Sequence, residues 1–241
     1  MRLLGKYFSG SPALARVAPF IIFVVLTAAQ GQFGEASRYW FYLAKTFVGV
    51  WLIWEMRPYV AEMRWAFSWE AVAVGIGVFA IWVGITGPWA TQDTLWVKLG
   101  SLVKPGISHA PAVIPKAWNP LVQFSDNAGL AWLFIVVRIL GSTFVVPPLE
   151  EAFYRSFLYR YIAKPDFQSV PLNQFLPKPF VATSLIFGLS HNEWIAGILC
   201  GMAYQWLVIR KNRLGDAMTA HAITNCLLGV WVVWRGAWNF W

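Results

Sequence analysis

Charged side chains are scarce here: they make up 12% of 241 residues, against 58% hydrophobic, and mean hydropathy is +0.54. A soluble domain carries about twice that share of charge, so a water-soluble fold is excluded. Cysteine is rarer still. Cys200 and Cys226 stand singly in apolar segments without CxxC spacing, which offers no disulfide framework or thiolate cluster and leaves both to core packing. Internal repeats, low-complexity tracts and any stretch of soluble-domain composition are missing. So are the short alternating segments of a membrane β-barrel.

What the chain does have is long apolar runs. About 20 apolar residues cross a hydrocarbon core of about 30 Å as helix, and lipid satisfies no backbone polar group. The expectation is an all-α polytopic membrane protein of about 7–8 transmembrane helices, a single integral membrane domain over residues 1–241. Spans are predicted near Leu14–Ala29, Tyr39–Trp54, Trp69–Ile85, Leu130–Val146 continuing to Ile162, Phe180–Ser190, Trp194–Ile209 and Ala217–Trp234. Residues 87–127 form one long connection, broken by Pro88, Pro105, Pro111, Pro115 and Pro120, with room for a short interfacial helix. Arg2, Lys6 and Arg16 precede the apolar run from Phe20 to Ala29 as in a signal peptide, but the spans that follow favour a retained first helix.

The net charge of +8 is spread over segment ends rather than gathered in a stripe, which argues against nucleic acid as a partner. Several of the sixteen Trp also lie near segment ends, where indole faces headgroups. With the N-terminus inside, the inner set includes Arg2, Lys6, Arg16, Arg57, Arg64, Arg160, Lys164, Lys178, Arg210, Lys211 and Arg213. The outer set holds Arg38, Lys98, Lys104, Lys116 and Arg235. The positive-inside rule therefore places the N-terminus in the cytoplasm.

Against this background Glu150, Glu151 and Arg155 stand out, as do His191 in Phe187–His191 and His221 with Asn225 in His221–Asn225. Ionisable groups at membrane depth are costly and usually functional. At 1.5 Å per residue, Glu150 lies about 20 Å from Lys164, His191 about 20 Å from Lys178, and His221 and Asn225 about 12–18 Å from Arg213. All reach one level, which that reading makes more accessible from the cytoplasmic side. Glu151 and Arg155 are spaced i,i+4, as an ion pair would be, and Glu150 projects about 100° away, free to act as a base. The alternative is a helix-end salt bridge beside a solvated glutamate. Phe187 with His191, and His221 with Asn225, share the same i,i+4 spacing. His191 beside Glu150 is suited to polarising a water, and His221 with Asn225 to donating to an oxyanion.

The three patterns EExxxR, FxxxH and HxxxN, in that order, resemble the CAAX protease and bacteriocin-processing family, intramembrane endopeptidases that include the eukaryotic Ras-converting prenyl-protein protease. The stretch Ala196–Gly201 is similar too, and the resemblance covers roughly residues 130–234. It implies a membrane-embedded helical catalytic core in which a glutamate-activated water cleaves a peptide bond, with catalysis at Glu150 and His191 and oxyanion support from His221 and Asn225. It implies a peptide or protein substrate, with a lipidated tail as one option, and a bacterial inner membrane as the setting. Glu150, Glu151, His191 and His221 are chemically able to hold zinc, but HExxH is absent and the family's mechanism implies no cofactor and no metal. Two other classes remain open at this stage: a proton-coupled transporter, disfavoured because the polar groups sit only in the C-terminal half, and a non-catalytic scaffold or immunity factor.

Overall fold

The computed structural model describes residues 3–85, 87–103 and 117–241, and regular structure there is helical throughout. Arg2, Lys104, Lys116, Pro105, Pro111 and Pro115 lie outside the described residues. A short α1 (Gly5–Gly10) leads into α2 (Leu14–Ala28), α3 (Ser37–Met56) and α4 (Trp69–Gly84). The long connection holds α5 (Gln92–Val103) and α6 (Pro120–Gln123) rather than one short helix. Then come α7 (Ala128–Phe144), α8 (Val146–Glu151), a π-helical turn (Ala152–Leu158), α9 (Tyr159–Ala163), α10 (Pro177–Leu189), α11 (Trp194–Lys211) and α12 (Gly215–Arg235).

Each expected apolar segment is helical. Ala128–Ala163 and Gly215–Arg235 are long and apolar enough to cross a membrane, while Leu14–Ala28 and Trp69–Gly84 are apolar but shorter. Helix ends follow local chemistry. The side-chain oxygen of Ser68 accepts from Ala71 N–H to cap α4, and that of Asn127 accepts from Leu130 N–H to cap α7. Asn212 and Gly236, both at positive φ, close α11 and α12. Apolar side chains such as Val25, Phe47, Ile76, Trp132, Val136 and Ile186 point outward, while Glu151, Arg155, Gln205 and Asp216 are buried. That inverts the water-soluble arrangement and fits an apolar solvent.

Backbones approach most closely where side chains are smallest. A Cβ on Gly197 would sit 2.9 Å from Gly188 Cα, and one on Gly201 3.0 Å from Ser184 Cα, so α10 and α11 pack through glycine contacts of the kind found between membrane helices. α12 is central to the bundle, packing against α4, α7, α8 and α11.

The bundle's two ends differ. One gathers α1, the 57–68 segment, α9 and the α11–α12 turn. Here buried Arg16 donates to Glu62 Oε1 at 2.8 Å and to Ser156 Oγ at 2.7 Å, and Arg160 donates to Glu62 Oε1 at 2.7 Å. Burial alone would raise the Glu62 carboxyl, but the Arg16 charge and the hydrogen bonds from Ser156 and Arg16 more than offset it and hold its pKa below the ordinary value of 4.5. Nearby, Asp216 accepts from Ser68 and Arg213, and Thr219 Oγ1 donates to Ala66 O at 2.7 Å.

Candidate active site

Prolines and the π turn shape the polar stretch of the longest helix. Pro147 and Pro148 lack the N–H that would continue α7, so α8 restarts at Val146 and carries Glu150 and Glu151 on its last turn. The π turn follows at once, a local widening frequently found at functional sites. Glu151 is fully buried. Its Oε2 lies 3.2 Å from Arg155 Nε, and its Oε1 is 2.9 Å from His221 Nδ1. The Arg155 pair is close without an aligned hydrogen bond, because the guanidinium is also drawn over the Phe187 ring, 4.3 Å from its centroid.

Glu150 has other surroundings. It lines a cavity of about 520 Å³ with His191 and Asn225, and its buried Oε2 has no hydrogen-bond partner among the described residues. His191 lies just past the end of α10, not on a helical face shared with Phe187, because the helix stops at Leu189. Its Nδ1 is 2.7 Å from the Phe187 carbonyl oxygen, which can only accept, so Nδ1 carries the proton and Nε2 keeps a free lone pair. Asn225 donates one Nδ2–H to Ser142 O at 2.8 Å, which leaves the other for the cavity.

His221 and Asn225 thus part company. His221 does not line the cavity; it bonds Glu151 and stacks on Tyr204 with ring centroids 5.1 Å apart. Its Nδ1–H is spent on a carboxylate, so the expectation of a joint oxyanion pair with Asn225 does not match this arrangement. The structure brings Glu150, His191 and Asn225 to the cavity and groups Arg155, Glu151 and His221 behind them. Among the described residues no three His, Cys, Asp or Glu side chains converge as a metal-ligand set.

Sequence reasoning passed over Tyr154, Ser190, Ser142, Lys45 and Arg138, all on the cavity wall. Tyr154 lies four residues after Glu150 and donates to Ser190 Oγ at 3.2 Å. Lys45 and Arg138 each stand as the only cation in the middle of a predicted span, which was a readable signal.

The cavity is lined by the C-terminal part of α2, the first half of α3, Ser190 and His191 just past the end of α10, the second half of α12, and Phe240 and Trp241. None of its lining comes from the segments 57–68, 164–176 or 211–215 at the basic end. An inside N-terminus and a site reached from the cytoplasmic side are therefore mutually incompatible expectations: the residues that set the orientation lie at the opposite end from the cavity.

Residues 131–227 match the family described as Type II CAAX prenyl endopeptidase Rce1-like, a stretch that takes in all three motifs. No curated protein and no solved structure matches the chain.

Proposed function

We propose, for a chain whose residues 131–227 match the Rce1-like type II CAAX prenyl endopeptidase family, an intramembrane endopeptidase in which Glu150 activates the attacking water. The family match supports a membrane-embedded protease acting on a peptide or protein. The observation that carries the finer reading is the contrast between adjacent glutamates. Glu151 is engaged by Arg155 and His221, whereas Glu150 presents an unpartnered oxygen to a cavity shared with His191 and Asn225.

In this reading a water accepted by Glu150 and by the free His191 Nε2 loses a proton to Glu150 as its oxygen bonds the scissile carbonyl carbon. The carbonyl π electrons move to oxygen, and the unspent Asn225 Nδ2–H receives that oxyanion, an interaction worth more in a water-poor site. When the C–N bond breaks, its electrons remain on nitrogen and Glu150 returns the proton to the departing amine. Arg155, Glu151 and His221 hold the helix positions of the reacting groups. No metal takes part, since Glu151 and His221 are committed to each other. The seven apolar helical segments cross the bilayer, and the basic end of the bundle faces the cytoplasm.

The test is cleavage of a quenched-fluorescent peptide library by detergent-solubilised protein, beside Glu150→Gln and with a strong chelator. Turnover that survives the chelator and falls at least about 10³-fold in Glu150→Gln is expected, the scale of losing both proton transfer and water positioning. Equal turnover by variant and parent would remove Glu150 from the mechanism. Loss with chelator would replace this mechanism with a metal-dependent one.

A further inference from the structure

A second cavity, of about 660 Å³, opens at the basic end of the bundle, between the end of α9 and the start of α10. Lys164 and Lys178 line it, and no acidic side chain does. Arg16, Arg160, Lys211 and Arg213 at the same end each have a carboxylate at ion-pair distance. Among the described residues, Lys164 and Lys178 have none.

The cavity is built into the fold. Tyr159, buried on α9, donates its hydroxyl to Gln174 O at 2.8 Å and accepts from Leu176 N–H at 2.9 Å, which ties the connecting segment to the helix. Buried Phe167 lies under the guanidinium groups of Arg16 and Arg160, each 5.2 Å from its ring centroid, and Val170 on the cavity wall is buried too.

Apolar groups surround the two charges. Ile162, Leu176, Pro177 and Pro179 form much of the remaining wall. From Lys178 the outer face of α10 continues through Val181, Leu185 and Leu189, all exposed, at steps of three and four residues. Lys178 to Leu189 is about 16 Å of helix, close to half of a hydrocarbon core about 30 Å thick. The stripe therefore has the depth of one leaflet, with the cations at its outer end. Tyr161 and Phe175, chain neighbours of wall residues, are exposed aromatics suited to headgroup level.

We propose that this cavity binds the headgroup of an acidic phospholipid, with its phosphate between Lys164 and Lys178 and an acyl chain along Val181, Leu185 and Leu189. A soluble anion would match the lysines and leave the apolar stripe uncovered. An uncharged lipid would cover the stripe and leave the lysines unmatched. Ammonium groups bind phosphate as point charges, and basic pockets between membrane helices hold acidic headgroups. The site needs a bilayer around α10 but no catalysis at Glu150. Its consequence does reach the other cavity: His191 follows the far end of α10, so a lipid fastened along this helix sets the depth at which His191 is held.

The test is native mass spectrometry of the full chain released from detergent, titrated with phosphatidylglycerol or with phosphatidylcholine of the same acyl chains. The parent should bind its first phosphatidylglycerol at least about 10-fold more tightly, the scale of two lysines near a membrane phosphate. That preference falls close to one in Lys164→Gln/Lys178→Gln and persists in Lys164→Arg/Lys178→Arg. It also persists in Lys6→Gln/Arg57→Gln, which removes two exposed cations of the same end from outside the cavity. A preference near one in the parent overturns the proposal, as does one that survives loss of both cavity lysines in protein of unchanged melting temperature. Equal loss in the Lys6/Arg57 pair would reduce the effect to diffuse attraction and overturn it as well.

Competition separates the two sources of phosphate. Glycerophosphoglycerol, the same headgroup without acyl chains, should displace bound phosphatidylglycerol poorly. Displacement as effective as by the intact lipid would make this a site for a soluble phosphate and sink the lipid.

Discussion

Glu150 and Glu151 differ in what their removal leaves behind. Glu151→Gln strands the Arg155 guanidinium, 1% exposed, without its carboxylate and deprives His221 Nδ1 of a charged acceptor. Breaking a buried pair in this way costs about 3–5 kcal/mol. The expected result is a melting temperature in detergent lower by roughly 10 °C for a chain of this size, alongside lost cleavage. Glu150→Gln removes an oxygen that has no partner, so its melting curve should overlay the parent's while turnover disappears. A large fall in melting temperature for Glu150→Gln, or none for Glu151→Gln, would contradict this division of labour.

Between elements, the α10–α11 contact decides where His191 sits, because His191 follows directly on the end of α10. Gly197→Leu must push Gly188 and the backbone of α10 away, since even a Cβ there would lie 2.9 Å from Gly188 Cα. The expected cost is about 1–3 kcal/mol, with kcat falling more than KM rises. Gly77→Ala is the control, because a Cβ there meets nothing within 4 Å; melting temperature and steady-state kinetics of the two variants check it. Elements were legible from sequence where length and apolarity alone specify them, as with α2, α4, α7 and α12. The Glu151–Arg155 pair was legible too, because i,i+4 spacing survives the π turn. The shared helical face of Phe187 and His191 was misread, because nothing in FxxxH announces that α10 ends at Leu189, inside the motif, although His191 does reach the cavity of Glu150. The Arg16–Glu62–Arg160 cluster joins residues 46 and 98 positions apart, a proximity that local spacing does not encode. Lys45 and Arg138 escaped notice because basic residues were weighed as loop signals, and these two lie inside helices.

At the scale of the whole molecule, charge and cavity occupy opposite ends. If the basic end faces the cytoplasm, the segment after α12 lies outside, and exposed Asn239 reports on it. In intact cells Asn239→Cys should react with a membrane-impermeant maleimide, whereas Lys164→Cys, at the basic end, should react only after permeabilisation. The reverse labelling pattern would turn the cavity toward the cytoplasm. The same polarity bears on how a bulky tail is admitted. The Glu62 cluster ties α2, the 57–68 segment, the π turn and α9 at one end, while the cavity stands between the packed pair α2–α3 and α12 toward the other. Rods fastened at one end behave as levers: a small tilt at the fastening becomes a wide parting at the tips. Admission of substrate then requires bending but no unfastening, and the ionic clamp acts as the fulcrum of a peg.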